Sequence, residues 1–368
     1  VVKSAAPAEL ETQPELLPDG VPEKAEREDT APVTREFARG TTHADLKLLA
    51  EGRRGPVTLA GRYRLFGTLG SGGMATVFRG ELISLGRPVA VKILDDERGH
   101  RHGGFARFLG EGRLTAKLRH PNVIDVLDFG STTEGVVYLV MELLEGEDLR
   151  AKLRREGPLS WSSVRSAMLG VCAGLTAAHE AGVIHRDLKP ANCFCEGDAV
   201  KLLDFGIATE LSPAERDEQR LTEEGRVVGT PEYMSPEQAR GEEVDGRSDV
   251  YAAGLILGEL LTGNLPFLGK SAAAVIAAQI YEPPPTLRAL SGGKLEFDPA
   301  IEAIYARAVS KKPEERFESA QALAEAIAAV DSARCESRPI MGWWRKPRRL
   351  LAAAALTVAG IAGLSSLV

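Results

Sequence analysis

The apolar residues of this chain change their period once, and that change restricts the fold more than any other feature of the sequence. Through residues 63–69, 76–78, 89–94 and 136–141 they follow a strand pattern, bounded by Gly or Pro turns. Through 161–181, 247–262, 271–280, 299–310 and 319–330 they recur every three to four residues, as helices require. A strand-rich part followed by a helix-rich part predicts an α+β fold segregated into two lobes over residues 61–330. No internal repeat competes with this reading.

The flanks differ in kind. Residues 1–60 carry Pro7, Pro14, Pro18, Pro22, Pro32 and Pro56 among many Glu, Ala and Thr, with only short apolar runs such as 46–49. So little apolar surface does not offset the entropy of ordering, and a disordered arm is expected. Residues 331–349 form a basic linker ending in Trp343, Trp344, Arg345, Lys346, Arg348 and Arg349, and residues 350–368 are uncharged. That length is close to the roughly 20 residues a bilayer-spanning helix needs. Indoles and basic residues are the cytoplasmic flank of such a helix. The sequence therefore predicts a single-pass segment in the cell membrane with 61–330 on the cytoplasmic side; an Ala-rich soluble helix is the competing reading. Ala355, Ala359 and Gly363 repeat at four-residue spacing, which would let two such helices pack closely as a homodimer. Residues 251–261 include Glu259 and are too short to span, so they read as a buried core helix.

A formal charge of −7 argues against a nucleic-acid partner, because such binding rests on basic residues that neutralise phosphates. Four cysteines are too few for a disulfide scaffold in 368 residues. Cys193 and Cys195 have no second Cys/His pair at ligand spacing and read as buried thiols.

Three stretches carry chemistry. Gly70-Ser71-Gly72-Gly73 lies between two strand patterns, where glycines let backbone N–H groups approach phosphate oxygens. A dinucleotide fold would need a helix next, but β-branched and aromatic Thr76-Val77-Phe78 follows. Lys92 ends an apolar strand, where an ammonium needs phosphate or carboxylate partners, and Glu111 can supply the carboxylate. The decisive string is His185-Arg186-Asp187-Leu188-Lys189-Pro190-Ala191-Asn192 followed by Asp204-Phe205-Gly206. Asp187, Asn192 and Asp204 present oxygen donors suited to Mg²⁺ and to accepting a proton.

On these residues, 61–330 resembles a eukaryotic-like Ser/Thr protein kinase, and with the apolar tail the chain is similar to the bacterial transmembrane Ser/Thr kinases, whose loops often read Gly72-Gly73-Met74. The resemblance implies a five-stranded N-lobe with one helix on a helical C-lobe, with ATP and Mg²⁺ in the cleft. It implies Gly70, Ser71, Gly72 and Gly73 over the phosphates, with Ala75 where a third glycine is usual. Lys92 would hold the α/β-phosphates with Glu111 as its ion-pair partner, flanked by Gly110 and Gly112 that soften their helix. Val77, Ala90, Met141, Glu142 and Leu144 would enclose the adenine. Asp187 matches the base, Lys189 the lysine that balances charge on the transferred group, and Asn192 and Asp204 the metal ligands. Thr230 matches the family's Ser/Thr-preferring docking position, expected to bond Lys189 and Asp187, and Thr222 is expected to take a phosphate that pairs with Arg186. Glu237 is expected to pair with Arg316, and Asp249 to brace the catalytic loop. The rivals are a pseudokinase scaffold, which typically lacks one of the four central polar residues present here, and a small-molecule phosphotransferase, which tends to lack the segment 229–237.

Overall fold

The computed structural model describes residues 40–72, 75–95, 108, 115–205, 231–269 and 271–331, and the backbone of 338–339. Six antiparallel strands form the N-terminal sheet in the order β1-β2-β3-β4-β6-β5. They are β1 (Val57–Leu59), β2 (Tyr63–Ser71), β3 (Ala75–Leu82), β4 (Arg87–Leu94), β5 (Val126–Ser131) and β6 (Val137–Glu142). Alternation divides β4 between two environments. Val89, Val91 and Ile93 join one apolar cluster with Tyr138 and Val140 of β6, and Ala90, Lys92 and Leu94 occupy the alternate positions.

The expectation of a disordered arm to residue 60, and of five strands, is corrected here. Helix α1 (His43–Ala50) starts at a capping box in which Thr42 and Asp45 satisfy each other's backbone N–H groups. Its Leu46 and Leu49 are buried against Val57, Leu59, Tyr63 and Phe78. Strand β1 pairs Val57 with Leu65 and Leu59 with Tyr63, adding a sixth strand at the sheet edge. The run 46–49 is too short to order itself. The apolar face that orders it is contributed by strands far along the chain. Truncating Leu49 to Ala should therefore destabilise the domain by about 2–5 kcal/mol, as for a core leucine. A urea titration would read this as a lowered midpoint, with exposed Lys47→Ala unchanged; equal midpoints would place α1 outside the core.

The C-terminal lobe is built on α2 (Leu149–Glu156), α3 (Trp161–Glu180), α4 (Pro236–Arg240), α5 (Gly246–Thr262), α6 (Ala272–Tyr281), α7 (Leu287–Leu290), α8 (Pro299–Ala308) and α9 (Ala320–Ala329). Residues 251–261 do lie in a core helix: Val250, Tyr251, Leu255, Ile256, Leu257 and Leu260 of α5 are each fully buried. A Cβ on Gly254 would stand 2.7 Å from the Ala308 Cβ and one on Gly258 2.6 Å from the Tyr305 ring, so glycine permits the close approach of α5 and α8. A three-stranded sheet, β7 (Glu147–Asp148), β8 (Cys193–Glu196) and β9 (Ala199–Leu202), lies on this lobe. Cys172, Cys193 and Cys195 are buried free thiols, and burial pushes Cys172 up to about 12.

Gly73, Glu111, Thr222, Thr230 and the apolar tail 350–368 lie outside the described residues. Among the described residues no helix is long and apolar enough to cross a membrane.

Candidate active site

Of the glycine-rich stretch, Gly70 and Ser71 close β2 and Gly72 follows it, ahead of β3. Gly70 pairs with Val77 and Ser71 with Thr76, and the Gly72 N–H donates to the Ala75 carbonyl at 2.9 Å. Below it, Ala90, Ile124 and Met141 form an apolar cluster with Val77, Leu143, Leu144 and Leu203 packed against it. Val77, Ala90, Met141 and Leu144 are four of the five residues expected around the nucleobase; the fifth, Glu142, is not part of this apolar cluster. Ile124, Leu143 and Leu203 escape the sequence reading, because isolated aliphatic residues carry no pattern that says which cavity they line. The Glu142 carboxylate receives Lys201 Nζ at 2.6 Å and the Asp125 N–H at 2.9 Å. Its own N–H donates to the Asp125 carbonyl at 3.0 Å, so any nucleobase contact from the Glu142 backbone has to use its carbonyl.

Lys92 projects from β4 to Asp204, with Nζ donating to Oδ1 at 2.9 Å over 112 residues of sequence separation. Burial pushes the Asp204 carboxyl up, and the adjacent ammonium outweighs it, holding the group below the usual carboxylate range. The ammonium expected to need a carboxylate therefore has one, supplied by Asp204.

Asp187, Lys189 and Asn192 form a second knot. Lys189 Nζ donates to Asp187 Oδ2 at 2.6 Å, and Asn192 Nδ2 to the Asp187 carbonyl at 2.9 Å. Because a carbonyl only accepts, the Asn192 nitrogen must face Asp187 and its Oδ1 the other way, as a metal ligand requires. One backbone bond joins the knots, and a side-chain bond from His185 supports it. Leu203, immediately before Asp204, donates its N–H to the Asn192 carbonyl at 2.9 Å, and His185 Nε2 reaches the Leu203 carbonyl at 3.0 Å. That bond fixes the His185 proton on Nε2. Full burial keeps the ring neutral by lowering its pKa.

Two residues here hold a left-handed backbone that glycine normally takes, Arg186 (φ 65°) and Asp204 (φ 49°). Such conformations cost on the order of 1–3 kcal/mol each and persist only when surroundings impose them. For Arg186 the imposing group is Asp249 of α5. Its carboxylate accepts the His185 N–H at 2.8 Å, the Arg186 N–H at 2.9 Å and His179 Nε2 at 2.7 Å. Burial raises the Asp249 pKa, and the His179 bond with the facing imidazoles and N–H groups lowers it further than burial lifts it. The bracing expected of Asp249 is therefore present. Gln238, which nothing in the sequence singles out, adds to it: Nε2 donates to the Arg186 carbonyl at 2.8 Å and Oε1 accepts the Ser235 N–H at 3.1 Å. An amide at one position of a capping box shows nothing in sequence about a partner 52 residues away.

The expected Glu237–Arg316 pair is also formed, bidentate at 2.7 and 2.8 Å and buried.

Residues 63–327 match the family described as protein kinase domain. The chain is 44% identical over 283 residues to Serine/threonine-protein kinase pkn3 of Myxococcus xanthus, covering 75% of this chain and 51% of that protein. It is 37% identical over 289 residues to Serine/threonine-protein kinase PknB of Mycobacterium leprae, covering 77% of this chain and 45% of that protein. It thus spans about half the length of these curated relatives. The crystal structure of the Mycobacterium tuberculosis PknI kinase domain superposes with a TM-score of 0.57 at 27% identity, over 74% of this chain and 96% of that one. A cleft in which Lys92 meets Asp204 beside Asp187 and Asn192, and a family match over most of the sequence, agree: the chain belongs to the protein kinase domain family, among relatives that are eukaryotic-like bacterial Ser/Thr kinases.

Proposed function

We propose that this domain transfers the γ-phosphoryl group of ATP to Ser or Thr hydroxyls of protein substrates. The observation that carries the reading is the Lys92–Asp204 contact, joined through Leu203 and Asn192 to Asp187. The donor set fits Mg²⁺: a carboxylate from Asp204 and the outward-facing Asn192 Oδ1 are hard oxygen ligands. When bound, the ion would neutralise charge on the phosphates. Asp187 accepts the proton of the attacking hydroxyl while the new P–O bond forms and the bond to the β-phosphate oxygen breaks. Lys189, 2.6 Å from Asp187, lies close enough to balance charge on the phosphoryl in flight.

Thr222 is the proposed activating phosphoacceptor, with Arg186 as its receiver, and Thr230 the substrate-docking residue; both roles rest on sequence. The indole and basic flank supports 350–368 as a membrane anchor with the domain at the cytoplasmic face, and the small-residue spacing supports a homodimer. The whole is tested by incubating the protein with γ-labelled ATP, Mg²⁺ and a generic basic protein. Label in phosphoserine or phosphothreonine is expected. Nucleotide binding without transfer would make the protein a pseudokinase scaffold, and transfer to small molecules alone would move it to another class.

A further inference from the structure

Outside the catalytic knots, Gln279 is a fully buried polar side chain that catalysis does not use. It lies on α6, and both ends of its amide are engaged. Nε2 donates to the Glu232 carbonyl at 2.7 Å and approaches the Pro231 carbonyl at 3.3 Å. Tyr251 of α5 donates its hydroxyl proton to Gln279 Oε1 at 2.6 Å. Lys311 Nζ donates to the Tyr251 oxygen at 3.2 Å and to the Gln279 backbone carbonyl at 2.7 Å.

The direction of every bond in this chain follows from chemistry. Carbonyls only accept, so the Gln279 nitrogen must face Pro231 and Glu232. Its oxygen must then face Tyr251, whose single proton is committed to it. The phenol oxygen therefore has to accept, and Lys311 has only protons to give. One orientation of the amide satisfies all four groups, and a flipped amide would leave buried donors and acceptors facing their own kind.

The segment held is the turn Pro231–Tyr233, within the segment 229–237 and directly after Thr230. Glu237 is fixed by Arg316 and Gln238 reaches the Arg186 carbonyl, so the far end of the turn is tied to the catalytic loop. Gln279 ties the near end. We propose that Gln279 is a positioning residue for protein substrates: oriented by Tyr251 and Lys311, it fixes the Pro231–Glu232 backbone and with it the surface on which the acceptor peptide lies. This rests on the kinase reading above. The residues expected to hold the nucleotide lie on other elements, β2 to β4, β6 and the Asp204 turn, so ATP binding is expected to be independent of Gln279.

The test is steady-state kinetics on the full chain with separate titrations of ATP and of a Ser/Thr peptide. Gln279→Met keeps the length and bulk of the side chain and removes both polar ends. The peptide KM should rise about five- to tenfold, the scale of one or two lost buried hydrogen bonds, with ATP KM within about twofold. Tyr251→Phe should raise the peptide KM by less, and adding it to Gln279→Met should change nothing more, because its phenol acts through the amide. Parent-like peptide and ATP constants in a folded Gln279→Met protein would overturn the inference. So would equal losses in both titrations accompanied by a lowered melting temperature, which mark a merely structural role. If the parent protein itself transfers no phosphate, the kinase reading fails instead.

Discussion

Asp187→Asn should lower kcat by roughly 10²–10⁴-fold, the contribution of a positioned general base, while nucleotide affinity stays near the parent value. The side-chain bonds of Asp187 run to Lys189 and Asn192, whereas Lys92 is held by Asp204. Asn at 187 can still accept the Lys189 proton through its amide oxygen. The substitution thus keeps the local packing and removes the group able to take a proton from the incoming hydroxyl. Single-turnover transfer from labelled ATP, beside fluorescence titration with a nucleotide analogue, separates the two quantities. Transfer at the parent rate would remove Asp187 from the chemistry. Equal loss of nucleotide binding and rate would show that the change disturbs the cleft as a whole.

How much of this site is legible in the sequence depends on how far apart its partners stand. Asp187, Lys189 and Asn192 lie within six residues, so their spacing alone fixes that they share a loop, and the loop behaves as the spacing requires. Lys92 and Asp204 are joined over 112 residues, and only their place in an ordered set of motifs brings them together. Asp249 and the Glu237–Arg316 pair are reached in the same way. Gln238 and Gln279 are not reached at all. A neutral amide on a helix has no period and no charge that singles it out, and the groups its nitrogen holds are backbone carbonyls, which every residue has.

The sheet shows the converse limit. The strand pattern locates β2, β3, β4 and β6 to within a few residues: β2 opens with alternating buried and exposed positions, while β4 and β6, buried on both faces, read as short apolar runs between turns. Strand β1 has three residues and α1 only two buried leucines, so neither carries a pattern of its own. Both are ordered by the apolar surface of β2, β3, β4 and β6, which exists only after those strands have paired. The fold accordingly takes in residues 40–60, ahead of the change in composition at Gly61.

Arg316→Met should destabilise the C-terminal lobe by about 3–5 kcal/mol, the usual consequence of stripping one partner from a buried ion pair. All five guanidinium protons of Arg316 have acceptors. Nη1 and Nη2 reach the two Glu237 oxygens at 2.7 and 2.8 Å, and the others reach the carbonyls of Ser310, Arg247 and Lys311 at 2.7, 2.9 and 3.0 Å. Methionine fills much of the volume and satisfies none of these, and Lys cannot reproduce the planar fork, so Arg316→Lys should rescue little. The loss should also depend on pH. Burial pushes the Glu237 carboxyl up, and the Arg316 and Ser248 bonds pull it down further, so its folded pKa lies below the unfolded one. Its contribution is therefore present at neutral pH and is lost as pH falls through the folded value. Without Arg316 the buried carboxylate is uncompensated at neutral pH and is relieved by protonation. Urea midpoints of parent and variant should lie far apart at pH 7 and converge toward about pH 4, near the ordinary Glu value. A gap of equal size at both pH values would mean that packing, and not charge, makes Arg316 indispensable. If Arg316→Met does not fold at neutral pH, Glu237→Gln gives the milder comparison: it keeps one acceptor for the guanidinium, and its midpoint should lie below that of the parent. A parent-like midpoint for Glu237→Gln would show that the pair does not hold the turn in place.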